Sequence, residues 1–285
     1  MRFLHSSDWQ LGMTRHYLDG ESQGLFNQAR FDAITTLAEV AKERGCEFVV
    51  VAGDVFETNQ VDRKTVLRAI EALRSFEMPV YLLPGNHDCY DPGSIYRSRT
   101  FLDSCPDQVE VLTDPTPRIP VEGVEVVGAT WTSKRPLADL ASEAADRPLE
   151  SERQRVVVAH GAVDAVIGEV TADPSLIRIS SVESAIADGR LHYLALGDRH
   201  SCTEVGDSGR VWYSGAPEPT SYTEIDPGVA LVVDLEPDSI EVERVEVGTW
   251  QFRIVEQDLA GEEDIQLLAD QLDSVSDRAR SIVKV

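Results

Sequence analysis

Through the first half of the chain, short apolar runs rich in β-branched residues alternate with segments whose apolar positions recur every three or four residues. Arg2–Ser7, Phe48–Ala52 and Val80–Leu83 read as strands, because such runs fit a pleated surface buried on both faces. Between the first two, Leu25, Ala29, Ile34, Leu37, Ala38 and Ala41 fall on one helical face, and Gly45 follows where a C-cap belongs. A second helix is expected over Asp62–Phe76, with Val66, Ile70 and Leu73 inward and Pro79 closing it. Beyond it, Val109–Leu112, Val124–Ala129, Arg155–His160 and His192–Leu196 predict further strands. Alternation of this kind predicts a layered α/β fold whose first-half strands are largely parallel.

The texture changes after residue 210. Val211–Tyr213, Val229–Leu235, Ile240–Val247 and Gln251–Val255 are almost all strand-like, and Pro237-Asp238 marks a hairpin turn. They predict a second, mainly antiparallel sheet packed on the first. One helical pattern follows (Ile265, Leu267, Leu268, Leu272), then a last β run, Ser281–Val285. An apolar run with no evident partner predicts that the chain enters a further domain. The expected division is therefore 1–258 and 259–285.

Composition narrows the classes. A chain of 285 residues, 42% hydrophobic and 27% charged, can bury a large core. Its formal net charge of −24 repels phosphate backbones and anionic lipid, which excludes a protein that coats duplexes nonspecifically. No apolar run approaches the ~20 residues that cross a bilayer, and the start, Met1-Arg2-Phe3-Leu4-His5-Ser6-Ser7-Asp8, turns polar too early for a signal peptide. No membrane association and a cytoplasmic location are expected. Cys46, Cys89, Cys105 and Cys202 are widely spaced with no C-x-x-C pair, so buried or incidental thiols are expected rather than disulfides or a zinc knuckle.

Five polar clusters each follow a strand-like run: Asp8-Trp9-Gln10, Gly53-Asp54-Val55-Phe56-Glu57, Pro84-Gly85-Asn86-His87-Asp88, Ala159-His160-Gly161 and Gly197-Asp198-Arg199-His200. Ligands of α/β sheets bind beyond the carboxyl ends of strands, so five such clusters are expected to converge on one crevice. Asp, Asn and His suit divalent cations. Taken singly, each has a plain reading: Gly-Asp is a common turn, and a histidine ending an apolar strand is commonly a hydrogen-bonded core residue. Turn chemistry does not, however, require that three of the six histidines (His87, His160, His200) stand at strand ends beside Asp or Asn. His5, His16 and His192 need no special role; His16 is close enough in sequence to replace a missing imidazole, but reads as an exposed loop residue.

These residues carry a resemblance. Ser7-Asp8-Trp9-Gln10-Leu11-Gly12, Val51-Ala52-Gly53-Asp54-Val55-Phe56, Leu83-Pro84-Gly85-Asn86-His87-Asp88 and Tyr213-Ser214-Gly215-Ala216-Pro217 resemble the calcineurin-like metallophosphoesterases, and within them the SbcD-type nuclease subunits of double-strand-break repair. The likeness covers roughly residues 1–258, and 259–285 resembles the beginning of that family's capping domain. It implies the fold of that family, an α/β architecture with a layered β-sandwich core flanked by helices, and two divalent ions, manganese foremost, with magnesium, iron or zinc as alternatives. Asp54 would bridge them; Asp8, Gln10 and His200 would complete one site, and Asn86, His160 and Asp198 the other. His87 would face the scissile phosphate as general acid or transition-state stabiliser. The implied partners are DNA, an SbcC-type ATPase subunit and a second copy of the chain, the last through helices near 61–76 and 94–104 with Leu67, Ile70, Tyr96 and Phe101 at the contact.

Two positions depart from the family pattern, Asp-x-His and Gly-His-x-His, because Gln10 and Asp198 stand where imidazoles are expected. The ligand set becomes richer in oxygen, which favours manganese or magnesium over zinc. Three readings follow: a metal-dependent phosphodiesterase acting on DNA ends as an exonuclease or endonuclease, a phosphodiesterase for small substrates or cyclic nucleotides, and a non-catalytic scaffold subunit with an altered metal site.

Overall fold

The computed structural model describes residues 1–150, 153–167 and 173–285. Two sheets stack face to face with helices outside each. The first sheet contains β1 (Arg2–Ser6), β2 (Phe48–Val51), β3 (Val80–Leu82) and β4 (Val109–Val111), all parallel. The second contains β5 (Val124–Gly128), β6 (Gln154–His160), β7 (Tyr193–Gly197), β8 (Thr203–Glu204) and β9 (Val211–Tyr213), parallel except for β8. β10 (Val229–Leu235) and β11 (Ile240–Glu246) return to the first sheet, which runs β11-β10-β1-β2-β3-β4. β12 (Gln251–Ile254) and β13 (Ser281–Lys284) form a separate parallel pair.

Helices α1 (Gly20–Glu43) and α2 (Arg63–Leu73), with the short α3 (Arg99–Leu102), cover the first sheet. Asp19 and Asp62 cap the first two by accepting from the Ser22 and Thr65 amides, which satisfies donors that have no partner within the helix. On the second sheet lie α4 (Leu140–Ala145) and α6 (Ile179–Ala187), with the single turn α5 (Asp164–Ile167) between them in sequence. α7 (Glu262–Asp273) connects β12 to β13.

The period of two along each strand divides the core. In the first sheet Leu4, Val49, Val51 and Leu82 pack under the helices, while Phe3, Phe48, Val50 and Tyr81 face the second sheet. Val126, Val156, Val158 and Tyr193 meet them, and Val127, Val157 and Leu194 pack under α4 and α6. Burial on both faces explains the uninterrupted apolar runs. The four cysteines are free thiols, three of them buried.

Three expectations are corrected. The strands after residue 210 do not build their own antiparallel sheet: β9 joins the second sheet parallel to β7, while β10 and β11 pair antiparallel beside β1. A run as apolar as Val229–Leu235 must be covered on both faces, and the open edge of β1 offers that place. The terminal strand is also not without a partner, since β13 pairs with β12 from Gln251–Ser281 to Ile254–Lys284. The expected dimer contacts Ile70, Tyr96 and Phe101 are 1–2% exposed and belong to the core under the first sheet, and Leu67 is half-buried.

His5 lies between the sheets. It accepts from the Tyr193 hydroxyl at Nδ1 and donates from Nε2 to the Leu196 carbonyl, and burial pushes its pKa from 6.5 down to about 3. The folded state therefore resists protonation that the unfolded chain accepts; stability is complete above pH 6.5 and is lost as the pH falls towards 3. From pH 8 to 5 this one group costs about 2 kcal/mol. Urea unfolding of His5→Gln, which keeps an acceptor and a donor, is expected to show that much less acid sensitivity than the wild type.

Candidate metal centre

The parallel strands bring their carboxyl ends to one edge of the sandwich, and each expected cluster hangs from one of them. Asp8 and Gln10 follow β1, Asp54 follows β2, Asn86 follows β3, His160 ends β6, and Asp198 and His200 follow β7. Contacts across the two sheets close the crevice: His160 Nδ1 donates to the Ala52 carbonyl at 2.8 Å, and the Asp198 amide donates to Asp8 Oδ1 at 3.1 Å.

The backbone is held in an uncommon conformation here. Six non-glycine residues among those described have positive φ, and four of them are Asp8 (54°), Gln10 (50°), Asp54 (52°) and Asp198 (95°). Each costs of order 1 kcal/mol, and such strain persists where surrounding bonds over-determine it. Asp8 and Gln10 amides donate to the Gly53 and Asp54 carbonyls, which locks the first two loops together. Glycine is required beside them: a Cβ at Gly53 would lie 2.2 Å from His160 Nδ1, and one at Gly85 would lie 2.3 Å from Asp54 Oδ1.

Asp8, Asp54 and His160 are buried, and one ligand atom from each lies within 4.8 Å of the others. His160 Nε2 stands 2.9 Å from Asn86 Oδ1, 3.5 Å from Asp54 Oδ1 and 3.7 Å from Asp198 Oδ1. Burial opposes charge on this ring, yet Asp54, Asp8 and Asp198 together raise its pKa well above the ordinary imidazole value. Three oxygens, Asn86 Oδ1, Asp54 Oδ1 and Asp198 Oδ1, converge on Nε2, a spot that favours positive charge. The donor set (two buried carboxylates, an amide oxygen, a ring nitrogen and a half-exposed carboxylate) is chemically fit for a divalent cation.

His200 faces the same crevice from the other side. Its Nε2 lies 3.8 Å from Asp8 Oδ1 and 3.2 Å from Gln10 Nε2, and that amide also donates to Asp54 Oδ2 at 3.5 Å. Its Nδ1 faces Thr220 Oγ1 at 2.7 Å and Glu224 Oε1 at 3.1 Å. A carboxylate only accepts, so the proton sits on Nδ1 and the Nε2 lone pair is presented to the crevice. Burial raises the Asp8 pKa; at Asp54 the same burial is outweighed by His160 and His87, which hold its carboxyl below the usual range.

His87 is the most open of these groups, 40% exposed, with Nε2 4.0 Å from Asp54 Oδ2. Its amide donates to Asp54 Oδ1 and its Nδ1 donates to the Glu57 carbonyl. All eight positions singled out in the sequence thus border one crevice. His16 is exposed in its loop, against the Tyr17 ring.

Several residues to which the sequence assigned no role hold this arrangement. Asp88 is fully buried; its Oδ1 accepts from the Gly85 amide and its Oδ2 from the Phe56 amide and the Tyr96 hydroxyl, which ties the Asp54 and Asn86 loops together. Burial and the Asp54 charge push its pKa up to about 6. Buried Arg30 on α1 donates to the Trp9 and Pro219 carbonyls, joining the Asp8 loop to the segment that carries Thr220 and Glu224. Trp131 Nε1 donates to the His160 carbonyl at 2.7 Å.

Among solved structures, TT1561 of Thermus thermophilus aligns with 86% of this chain and 98% of its own at a TM-score of 0.51 and 11% identity, a likeness of fold alone. The chain is 26% identical over 275 residues to the DNA double-strand break repair protein Mre11 of Haloferax volcanii, covering 93% of this chain and 56% of that protein. It is 25% identical over 260 residues to the D subunit of the nuclease SbcCD of Escherichia coli, covering 79% of this chain and 62% of that protein. The chain thus spans less than two thirds of the length of either relative. The calcineurin-like phosphoesterase family model matches residues 1–176, which carry four of the five clusters and well over half of the sequence. The chain belongs to the calcineurin-like phosphoesterase family.

Proposed function

We propose that this chain is the catalytic part of a metal-dependent phosphodiesterase acting on DNA ends. The observation that carries this reading is the set of seven ligand-type side chains around one crevice, with an unengaged imidazole edge, His87 Nε2, at its mouth. The names of the relatives, a break-repair protein and a nuclease subunit, support DNA as the substrate class. The second of them also supports an SbcC-type ATPase as partner.

In this reading Asp54 faces both halves of the centre. Asp8, Gln10 and His200 would hold one ion; Asn86, His160 and Asp198 would hold the other. When bound, a pair of divalent cations supplies Lewis-acid activation of water and charge neutralisation at the phosphate. The protein's own contribution is orientation and proton handling. The Ala52 carbonyl and Glu224 fix the two ring tautomers, so that both Nε2 atoms are aimed inward. With Nδ1–H of His87 committed to the Glu57 carbonyl, Nε2 is the ring atom left to face the leaving oxygen, and it donates to that oxygen from the imidazolium form of the ring. Oxygen dominates the set, so manganese is the proposed metal, ahead of magnesium.

The test is metal content after purification together with cleavage of linear duplex, single-stranded and small diester substrates. Cleavage of the small diester alone would replace DNA by a small substrate, and metal binding without cleavage of any of the three would make the chain a scaffold. Restoring imidazoles bears on metal identity. Gln10→His with Asp198→His exchanges a neutral amide and a carboxylate for two borderline ligands, and removes one negative charge from the shell. Elemental analysis is expected to show a shift from manganese towards zinc or iron. An unchanged metal profile would remove positions 10 and 198 from the ligand set.

A further inference from the structure

The net charge of −24 poses a problem for a DNA enzyme: something local must attract a polyanion. Two segments beside the metal centre depart from the acidic average. Residues 89–101 and 129–137 together hold four basic residues (Arg97, Arg99, Lys134, Arg135) against the single acid Asp91. They are joined at the crevice, because the Tyr90 amide donates to the Trp131 carbonyl at 2.7 Å. Tyr90 lies three residues beyond His87, and Trp131 is bonded to His160, so both segments are anchored to the candidate centre.

The guanidinium of exposed Arg97 lies over the half-buried Tyr90 ring, 3.9 Å from its centroid. Asn59 fixes this loop at two points, donating to the Cys89 carbonyl and accepting from the Ile95 amide. Lys134 and Arg135 are exposed on the other segment, and Lys134 is near enough to act electrostatically on the Cys89 thiol. Elsewhere the arginines at 74 and 118 are engaged by carboxylates; among the described residues no carboxylate lies within salt-bridge distance of Arg97, Lys134 or Arg135.

We propose that the Tyr90–Arg97 stack, with Lys134 and Arg135, forms the surface that receives the phosphodiester backbone of the DNA strand entering the metal centre. It rests on the phosphodiesterase reading and adds where the substrate lies. The contacts are to phosphates, so they position the strand without reading sequence. A cation already stacked on an aromatic ring and carried on a pinned loop loses little freedom on binding.

The experiment is fluorescence anisotropy of a labelled 20-nucleotide single strand and of the matching duplex, in chelator to prevent cleavage, from 50 to 200 mM KCl. Arg97→Ala with Lys134→Ala is compared with wild type and with Lys42→Ala, which removes a cation from the far end of α1. Two lost phosphate contacts are expected to flatten the log–log salt dependence by about 1.8 for duplex and about 1.4 for single strand, and to weaken binding roughly tenfold at the lowest salt. Lys42→Ala is expected to match wild type. Hydrolysis of bis(p-nitrophenyl) phosphate, too small to reach the surface, is expected to stay within twofold in the double variant, which also shows that it is folded. Wild-type affinity and slope in the double variant, or no oligonucleotide binding by wild type, would overturn the proposal. Absence of diester hydrolysis in the wild type would overturn the phosphodiesterase reading instead, and the binding comparison would still decide the surface.

Discussion

His87→Ala is expected to lower the rate of phosphodiester hydrolysis about 100- to 10,000-fold while the ions stay bound. The magnitude is that of a positioned proton donor. The separation from metal binding follows from where the ring is held: Nδ1 is fixed by the Glu57 carbonyl, and Nε2 is 4.0 Å from Asp54 Oδ2 at the open mouth. Truncation removes an exposed ring, leaves the His87 amide free to support Asp54 Oδ1, and so leaves the carboxylate in place. Activated aryl diesters, whose leaving groups need no proton, should lose much less than DNA. Rates on the two substrates and elemental analysis of the purified variant check this. Full activity on DNA, or loss of the ions, would contradict the role.

Asp54→Asn is expected to disturb both metal sites. Asp54 Oδ1 lies 3.5 Å from His160 Nε2, and Oδ2 accepts from Gln10, so one carboxylate serves both halves of the crevice. An amide of the same shape keeps one acceptor oxygen, but turns the other into a donor facing groups that must accept a cation. Activity with manganese is expected to fall at least as far as in His87→Ala, with stoichiometry dropping from two to one or none. In chelator the fold should survive, because an Asn oxygen can still accept from the His87 amide and the backbone bonds that lock the Asp8 and Asp54 loops remain. Melting temperature in chelator and equilibrium dialysis with manganese measure the two effects separately; two ions retained at wild-type affinity would contradict the bridging position.

Every strand but the two-residue β8, and the helices α1 and α2, could be read from the sequence because each is apolar on its buried face and bounded by Gly, Pro or a capping Asp, as at Asp62 and Gly45. Pairing could not. Val229–Leu235 declares itself a strand buried on both faces, but nothing local says that it lies beside β1 rather than β9. The site clusters were legible for the same reason, each a polar interruption at the end of an apolar run. The residues that orient them were not: Glu224 comes 24 positions after His200, and Arg30 sits on a helix where an inward arginine breaks the apolar pattern. Ile70, Tyr96 and Phe101 show the converse ambiguity, since an apolar residue reads alike whether it packs on its own sheet or on a partner.

Titrating the metal-stripped chain with manganese, while following bis(p-nitrophenyl) phosphate hydrolysis, tests the central claim most directly. Two ions per chain are expected, with no hydrolysis in chelator and turnover rising as the second ion binds. Hydrolysis that persists in chelator, or a chain that binds no divalent ion with Asp8, Asp54 and His160 intact, would contradict it.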